Sequence, residues 1–259
     1  MAYKYLETRE EKNVLVIILS REKSLNALTY EMIKELRHLF EELNRDRRGI
    51  KGVVITGRGS KAFAAGADIK ELKDLSEDEA YSVSLEGHKT LEIIEKCRFP
   101  VIAAINGFAL GGGFEVALAC HIRVADTTAQ MGLPESSLGL LPGYGGTQRL
   151  TRIVGRAKAI ELMCSGEMIK APFAKELGIV SYVTTPGLEV SKSIELIEKM
   201  TQNASTSVSK ILQATYMAAY HSEDGFRFER KAFSELLHSE NGQEGMLAFI
   251  EKRKPEFKQ

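Results

Sequence analysis

The segment richest in chemical possibility is Asn106-Gly107-Phe108-Ala109-Leu110-Gly111-Gly112-Gly113-Phe114-Glu115, which runs into the small and apolar stretch Val116 to Cys120. Adjacent glycines between an apolar strand and an apolar helix let a backbone pass close to a ligand. They also leave N–H groups open at the helix start, where negative charge is favoured. The chemistry this offers is binding of an anion or a developing oxyanion; taken alone, the same glycines read equally well as a packing turn. Glu115 follows Gly112 by three residues, which brings its carboxylate to the helix face that presents those N–H groups. The helix dipole alone accounts for a glutamate there. Its neighbours, however, are Gly, Phe, Val, Ala and Leu, and desolvation among such residues raises a carboxyl pKa towards acid–base use.

A second acid, Glu135, stands just after Pro134 in the loop that leads through Leu140-Leu141-Pro142-Gly143-Tyr144-Gly145-Gly146 to Thr147-Gln148-Arg149-Leu150. Alone it reads as a surface carboxylate; with Glu115 it would make a pair able to handle one water and one proton. A third segment, Lys61 to Leu72, sets Ala64, Ala65, Gly66 and Ala67 before Asp68, which can begin a helix containing Ile69 and Leu72. Close backbone approach by a ligand and an ordinary strand-to-helix turn fit it equally.

These segments need elements to hold them. Strand-sized apolar runs at Val14 to Leu19, Val53 to Ile55 and Val101 to Ile105 alternate with helical periodicity, which predicts α/β architecture. One helix is predicted from Thr29, as N-cap, to about Asn44, with Met32, Leu36, Leu39, Phe40 and Leu43 in one stripe; a second runs from about Asp78 to Lys96 and stops before Phe99-Pro100. Beyond about residue 185 only helical patterns remain, at about Glu189 to Asn203, Ser207 to His221, Phe226 to His238 and Gly242 to Lys254. A core region 1–188 followed by a helical region 189–259 is therefore expected.

Composition narrows the function classes. The 259 residues are 44% hydrophobic, and 35 basic side chains balance 35 acidic ones, so no net field favours nucleic acid or an anionic membrane. No run approaches the ~18 apolar residues of a membrane span, and Met1 to Glu10 carry no targeting pattern. Cys97, Cys120 and Cys164, odd in number and in apolar surroundings, read as buried free thiols of a reducing, cytoplasmic compartment. The five histidines show no ligand spacing, so no metal is expected. The glycine spacing also departs from the G-x-G-x-x-G of a dinucleotide site.

Taken together, Ala62 to Lys70, Gly111 to Glu115, and Pro134-Glu135 through Gly146-Thr147-Gln148-Arg149-Leu150 resemble the enoyl-CoA hydratase (crotonase) family. The likeness extends from Ser24-Leu25-Asn26-Ala27-Leu28 to Glu244 through Pro255. It implies a spiral of ββα units with a helical C-terminal region, assembled as trimers or hexamers. It implies that the N–H groups of Ala67 and Gly112 form an oxyanion hole, that Glu115 and Glu135 are the acid–base pair, with Glu135 donating a proton at Cα, and that Gly143 binds the attacking water. Coenzyme A, as part of the substrate and not a cofactor, would lie along Leu25 to Ala27 and along Ala65, Gly66, Asp68, Ile69 and Lys70. Lys23 and Lys70 would face its phosphates, and Phe249 and Lys252 would reach the coenzyme of a neighbouring subunit. The implied activity is reversible syn addition of water to a trans-2-enoyl-CoA. The alternatives are other reactions of the family, namely dehydration, methylglutaconyl-CoA hydration, isomerisation or decarboxylation, and a non-catalytic RNA-binding or scaffold role. Two departures stand out: His121 replaces a usual aspartate, and Tyr144 stands where a small residue is frequent, which points to short or polar acyl groups if it faces the acyl pocket.

Overall fold

The apolar runs Val14–Leu19 (β2) and Val101–Ile105 (β5) are strands over the bounds expected, and the Val53 to Ile55 run lies inside Gly52–Gly57 (β3). Their continuous apolarity has a physical cause: the sheet they form is covered on both faces. Ile17, Leu19, Val53, Ile55, Val101 and Ala103 point into the main core. Val14, Val16, Val54, Ile102 and Ala104 point to the opposite face.

The architecture was obtained as a computed structural model, which describes residues 3–47, 49–202, 205–219, 233–235 and 237–256. The larger sheet has the order β1-β2-β3-β5-β7-β10, with β1 (Leu6–Glu11), β7 (Ile122–Asp126) and β10 (Tyr182–Thr184) completing it. All its pairs are parallel except β1 with β2. A smaller sheet has the order β4-β6-β8-β9, formed by Ala62–Ala64, Phe108–Leu110, Gln130–Gly132 and Ile169–Lys170. Three successive strand pairs, β3/β4, β5/β6 and β7/β8, each send their first strand to the larger sheet and their second to the smaller one. This is a structural repeat, a spiral of ββα units, that leaves no repeat in the sequence.

Helix α1 (Tyr30–Arg45) starts where expected, with the Thr29 hydroxyl accepting from the Met32 N–H at 3.1 Å. Next come the single turn α2 (Ile69–Leu72), capped by Asp68, and α3 (Glu77–Glu95), which begins one residue earlier than expected. Ser76 and Glu79 form a reciprocal capping box there. The glycine-rich segment opens α4 (Gly112–Ala119), and α5 (Gly146–Val154), α6 (Arg156–Ser165) and α7 (Ala171–Glu176) follow. The helical tail comprises α8 (Glu189–Met200), α9 (Ser205–Ala219) and α10 (Glu240–Ile250). The helix expected over Phe226 to His238 falls largely outside the described residues. The boundary expected near residue 188 immediately precedes α8, and α8 is itself a layer of the core: Ile194, Leu196 and Ile197 cover the second face of the larger sheet. One cysteine departs from expectation. Cys97 and Cys120 are buried free thiols, but Cys164 on α6 is exposed, because the stripe of that helix that turns inward is carried by Ala159 and Leu162. No described helix is long and apolar enough to cross a membrane.

Candidate active site

Helix α4 is set against β4 and β6 by glycines. A Cβ on Gly113 would overlap the Ala64 carbonyl, so only glycine lets the helix start come this close to β4. Gly111, its N-cap, has φ of +49°, and a Cβ there would lie 2.8 Å from Glu135 Oε1. The absence of a side chain at 111 is thus what lets the Glu135 carboxyl approach the start of α4. Glu135 itself sits on a 3-10 turn, Pro134–Leu138, and its carbonyl accepts from the Leu140 N–H.

Glu115 is buried on the first turn of α4. Its Oε1 accepts two backbone hydrogen bonds, from the N–H groups of Tyr144 and Gly146, each at 2.7 Å. Two converging donors on one oxygen stabilise the carboxylate and fix its rotation, so the loop 143–146 works as a cradle for this acid. The cradle is held from behind. Arg149, on α5, is fully buried and donates from Nη1 to the Tyr144 carbonyl and from Nη2 to Glu95 Oε2, both at 2.6 Å. Glu95 closes α3 and is also buried.

The segment after β4 presents a further donor. Gly66 O accepts from the Leu28 N–H and the Asp68 N–H donates to Leu28 O, both at 2.8 Å. In a parallel bridge the intervening residue directs its own N–H to the other side, and for Ala67 that side is α4: an ideal Cβ on Gly112 lies 3.4 Å from Ala67 N. Gly112 is the first residue of its helix, so its N–H has no intrahelical partner. The start of α4 and the Ala67 segment therefore lie against each other, and Ala67, Gly112, Glu115 and Glu135 border the same space.

All of these groups line one cavity of about 720 Å³. Every site residue expected from the sequence lies on it: Ala67, Gly112, Glu115, Glu135, Gly143 and Tyr144, together with Leu25, Ala27, Ala65, Gly66, Asp68, Ile69, Lys70, Phe249 and Lys252; Lys23 does too. The Gly143 carbonyl accepts from Ser84 Oγ at 2.6 Å, which ties that loop to α3. Phe249 and Lys252 border the cavity of their own chain, because α10 packs on the turn carrying Glu135, where a Cβ on Gly245 would overlap the Leu138 carbonyl. Arg21, not singled out in the sequence, also lines the cavity. Arg21 donates to the Ala27 carbonyl at 2.6 Å and to Asp68 at 2.9 Å, joining the two loops of the cavity mouth. Asn26, fully buried with φ of +57°, bonds Arg21 N, Arg58 O and Ala62 O. An asparagine between two apolar residues in a turn was the available signal.

The model of the family described as enoyl-CoA hydratase/isomerase matches residues 9–259. The chain belongs to the enoyl-CoA hydratase/isomerase family. Among its relatives, the short-chain-enoyl-CoA hydratase of Clostridium acetobutylicum is 40% identical over 248 residues, 95% of each chain. A probable enoyl-CoA hydratase of Bacillus subtilis is 43% identical over 236 residues, 90% of this chain and 91% of the relative. The crystal structure of enoyl-CoA hydratase from Bacillus anthracis superposes with a TM-score of 0.80 at 37% identity, covering 98% of this chain and 99% of that one. The family and the crotonase-type ββα spiral expected from the sequence are therefore those of this chain.

His121, the departure from family pattern noted above, is accounted for by packing. Its Nδ1 accepts from the Val101 N–H at 3.0 Å, so Nε2 carries the proton and donates to the Glu95 carbonyl at 3.1 Å. Burial pushes the His121 pKa down, outweighing the opposing pull of Glu95, and the nearby Arg123 adds to the depression. The neutral ring is thus the native form. As pH falls below the unfolded histidine value of about 6.5, the unfolded chain gains a proton that the native state refuses, and stability falls by at most ~1.4 kcal/mol per pH unit from this group. Urea unfolding midpoints at pH 7.5 and 5.5 will therefore differ more for the native chain than for His121→Asn; equal differences would exclude this origin.

Proposed function

We propose that the protein is an enoyl-CoA hydratase that adds water reversibly to a trans-2-enoyl-CoA, giving a 3-hydroxyacyl-CoA. The observation that carries the reading is the Glu115 carboxylate, pinned by two N–H groups on the same cavity as Glu135, Ala67 and Gly112. In this mechanism the thioester oxygen accepts from Ala67 and Gly112. A water held between the two carboxyl groups loses a proton to Glu115 as its oxygen bonds Cβ. The electron pair of the double bond moves onto the thioester oxygen as an enolate, which the two N–H groups stabilise; each such donor is worth about 10²–10³-fold in rate. Glu135 then delivers a proton to Cα, the carbonyl reforms, and proton exchange between the acids and solvent resets the pair. Coupled carboxyls titrate together, so the pair is the functional unit.

In the same reading the coenzyme A moiety lies along Leu25 to Ala27 and Ala65 to Lys70, with Lys23, Lys70 and Lys252 at the mouth for its phosphates, and it enters as substrate. A homo-oligomer of trimers or paired trimers and a cytoplasmic location belong to the proposal as well. The first is supported by large apolar side chains left exposed in the single chain, among them Ile160, Met168, Phe173 and Leu188, the second by three cysteines that are all free.

The test is the conjugated-enoyl absorbance of crotonyl-CoA on addition of purified protein. Rapid loss, with a product heavier by one water, is the expected result. Persistence of the absorbance while the thioester demonstrably binds would reject hydration, and a product of unchanged mass would indicate double-bond migration instead.

A further inference from the structure

A second cavity, of about 630 Å³, adjoins the first. The two share Ala67, Asp68, Leu72 and Tyr144 as walls. The second is lined by Leu28, Leu72, Leu75 and Val83, and its rim carries the exposed Glu31, Glu71, Asp78 and Glu79. Hydratase chemistry as read above makes no use of this space.

Tyr144 stands at the division. Its ring is buried and wedged edge to edge between two helices. The Cδ2–Cε2 edge lies 3.3 Å from where a Cβ of Gly112 would be, a point also 3.4 Å from Ala67 N. The Cδ1–Cε1 edge fills a notch at Gly87, in the middle of α3, where any Cβ would overlap the ring. Glycine is unfavourable in a helix interior, and here its missing side chain is the seat of the tyrosine. Burial pushes the phenol pKa up, so the plug remains neutral.

With the thioester oxygen on Ala67 and Gly112, and Cα and Cβ beside Glu135 and Glu115, the acyl tail beyond Cβ runs towards the Tyr144 ring. We propose that Tyr144, seated in the Gly87 notch, is a chain-length gate that ends the acyl site after a short chain and closes off a ready-made apolar cavity. The proposal rests on the hydratase reading for the direction of the acyl group. The carboxylates on the far rim further specify that an opened site would take neutral alkyl tails and reject dicarboxylic ones.

The experiment compares kcat/KM for crotonyl-CoA and trans-2-octenoyl-CoA, and calorimetric binding of butyryl-CoA and octanoyl-CoA, in the native chain, Tyr144→Ala and Tyr144→Phe. Each methylene newly buried is worth about fourfold. The octenoyl-to-crotonyl ratio should therefore rise at least ~10-fold in Tyr144→Ala and stay within ~2-fold of native in Tyr144→Phe, with the binding ratio moving the same way. Unchanged ratios in a folded Tyr144→Ala protein would overturn the gate. If that variant does not fold, Tyr144→Leu, which shortens the plug but keeps apolar contact, is judged by the same ratios. If the native chain hydrates neither thioester, the hydratase reading falls, and the binding ratio alone decides the gate: no gain for octanoyl-CoA on shortening Tyr144 refutes it.

Discussion

Glu115→Gln and Glu135→Gln will each lower kcat for crotonyl-CoA hydration by about 10²- to 10⁴-fold, the range expected when a positioned acid–base group is lost. At position 115 the amide oxygen can still accept from the Tyr144 and Gly146 N–H groups, as Oε1 does now. The cradle and the fold should therefore persist, while the group can no longer take a proton from water. KM and thioester affinity should change little, because the missing interaction is one made in the transition state. Glu115→Ala separates the two roles. It strands two buried N–H donors and should cost about 1–3 kcal/mol of stability in addition to activity. The double variant Glu115→Gln/Glu135→Gln should be about as inactive as either single one, since groups that act as a unit are not additive. Steady-state kinetics with thermal unfolding on the same preparations provides the check. Near-native turnover in either glutamine variant would remove that residue from the mechanism.

What the sequence disclosed, and what it withheld, follows from where the information sits. The strands Val14–Leu19 and Val101–Ile105 were legible because a strand covered on both faces must be apolar throughout. The glycines before Glu115 were legible as close-approach residues, but the sequence could not show that Gly111 exists to admit Glu135. The ββα repeat was hidden because the second strand of each pair has only three residues and pairs with strands about 20 to 45 residues away in the chain. Gly87 carried a signal that went unread: a glycine inside a helical pattern whose reason is the ring of Tyr144. Residues whose meaning is a tertiary partner were the least legible. Glu95 looks like one more solvated charge at a helix end, and only the fold brings it to Arg149, 54 positions later.

That buried pair provides the second large effect. Arg149→Met alone will leave the Glu95 carboxylate buried without its guanidinium, and Glu95→Leu alone will leave the guanidinium without its carboxylate. Removing one partner of a buried pair costs about 3–5 kcal/mol, which for a chain of this size is a fall in Tm on the order of 10 °C. The double substitution Glu95→Leu/Arg149→Met should recover most of that stability, because the charges are removed together and apolar groups take their place. Activity should not recover with it. The Tyr144 carbonyl loses its 2.6 Å donor whenever Arg149 is replaced, and the same peptide segment supplies the N–H groups that hold Glu115. A slackened cradle misplaces the carboxylate, and small misplacements of a reacting group cost up to ~10²-fold in rate. A double variant near native in Tm but reduced in kcat at unchanged KM would identify Glu95 and Arg149 as positioning residues for Glu115. Recovery of both stability and kcat would make the pair purely structural. The cycle of two single variants and one double variant measures the coupling directly, since the residues touch and their effects cannot be additive.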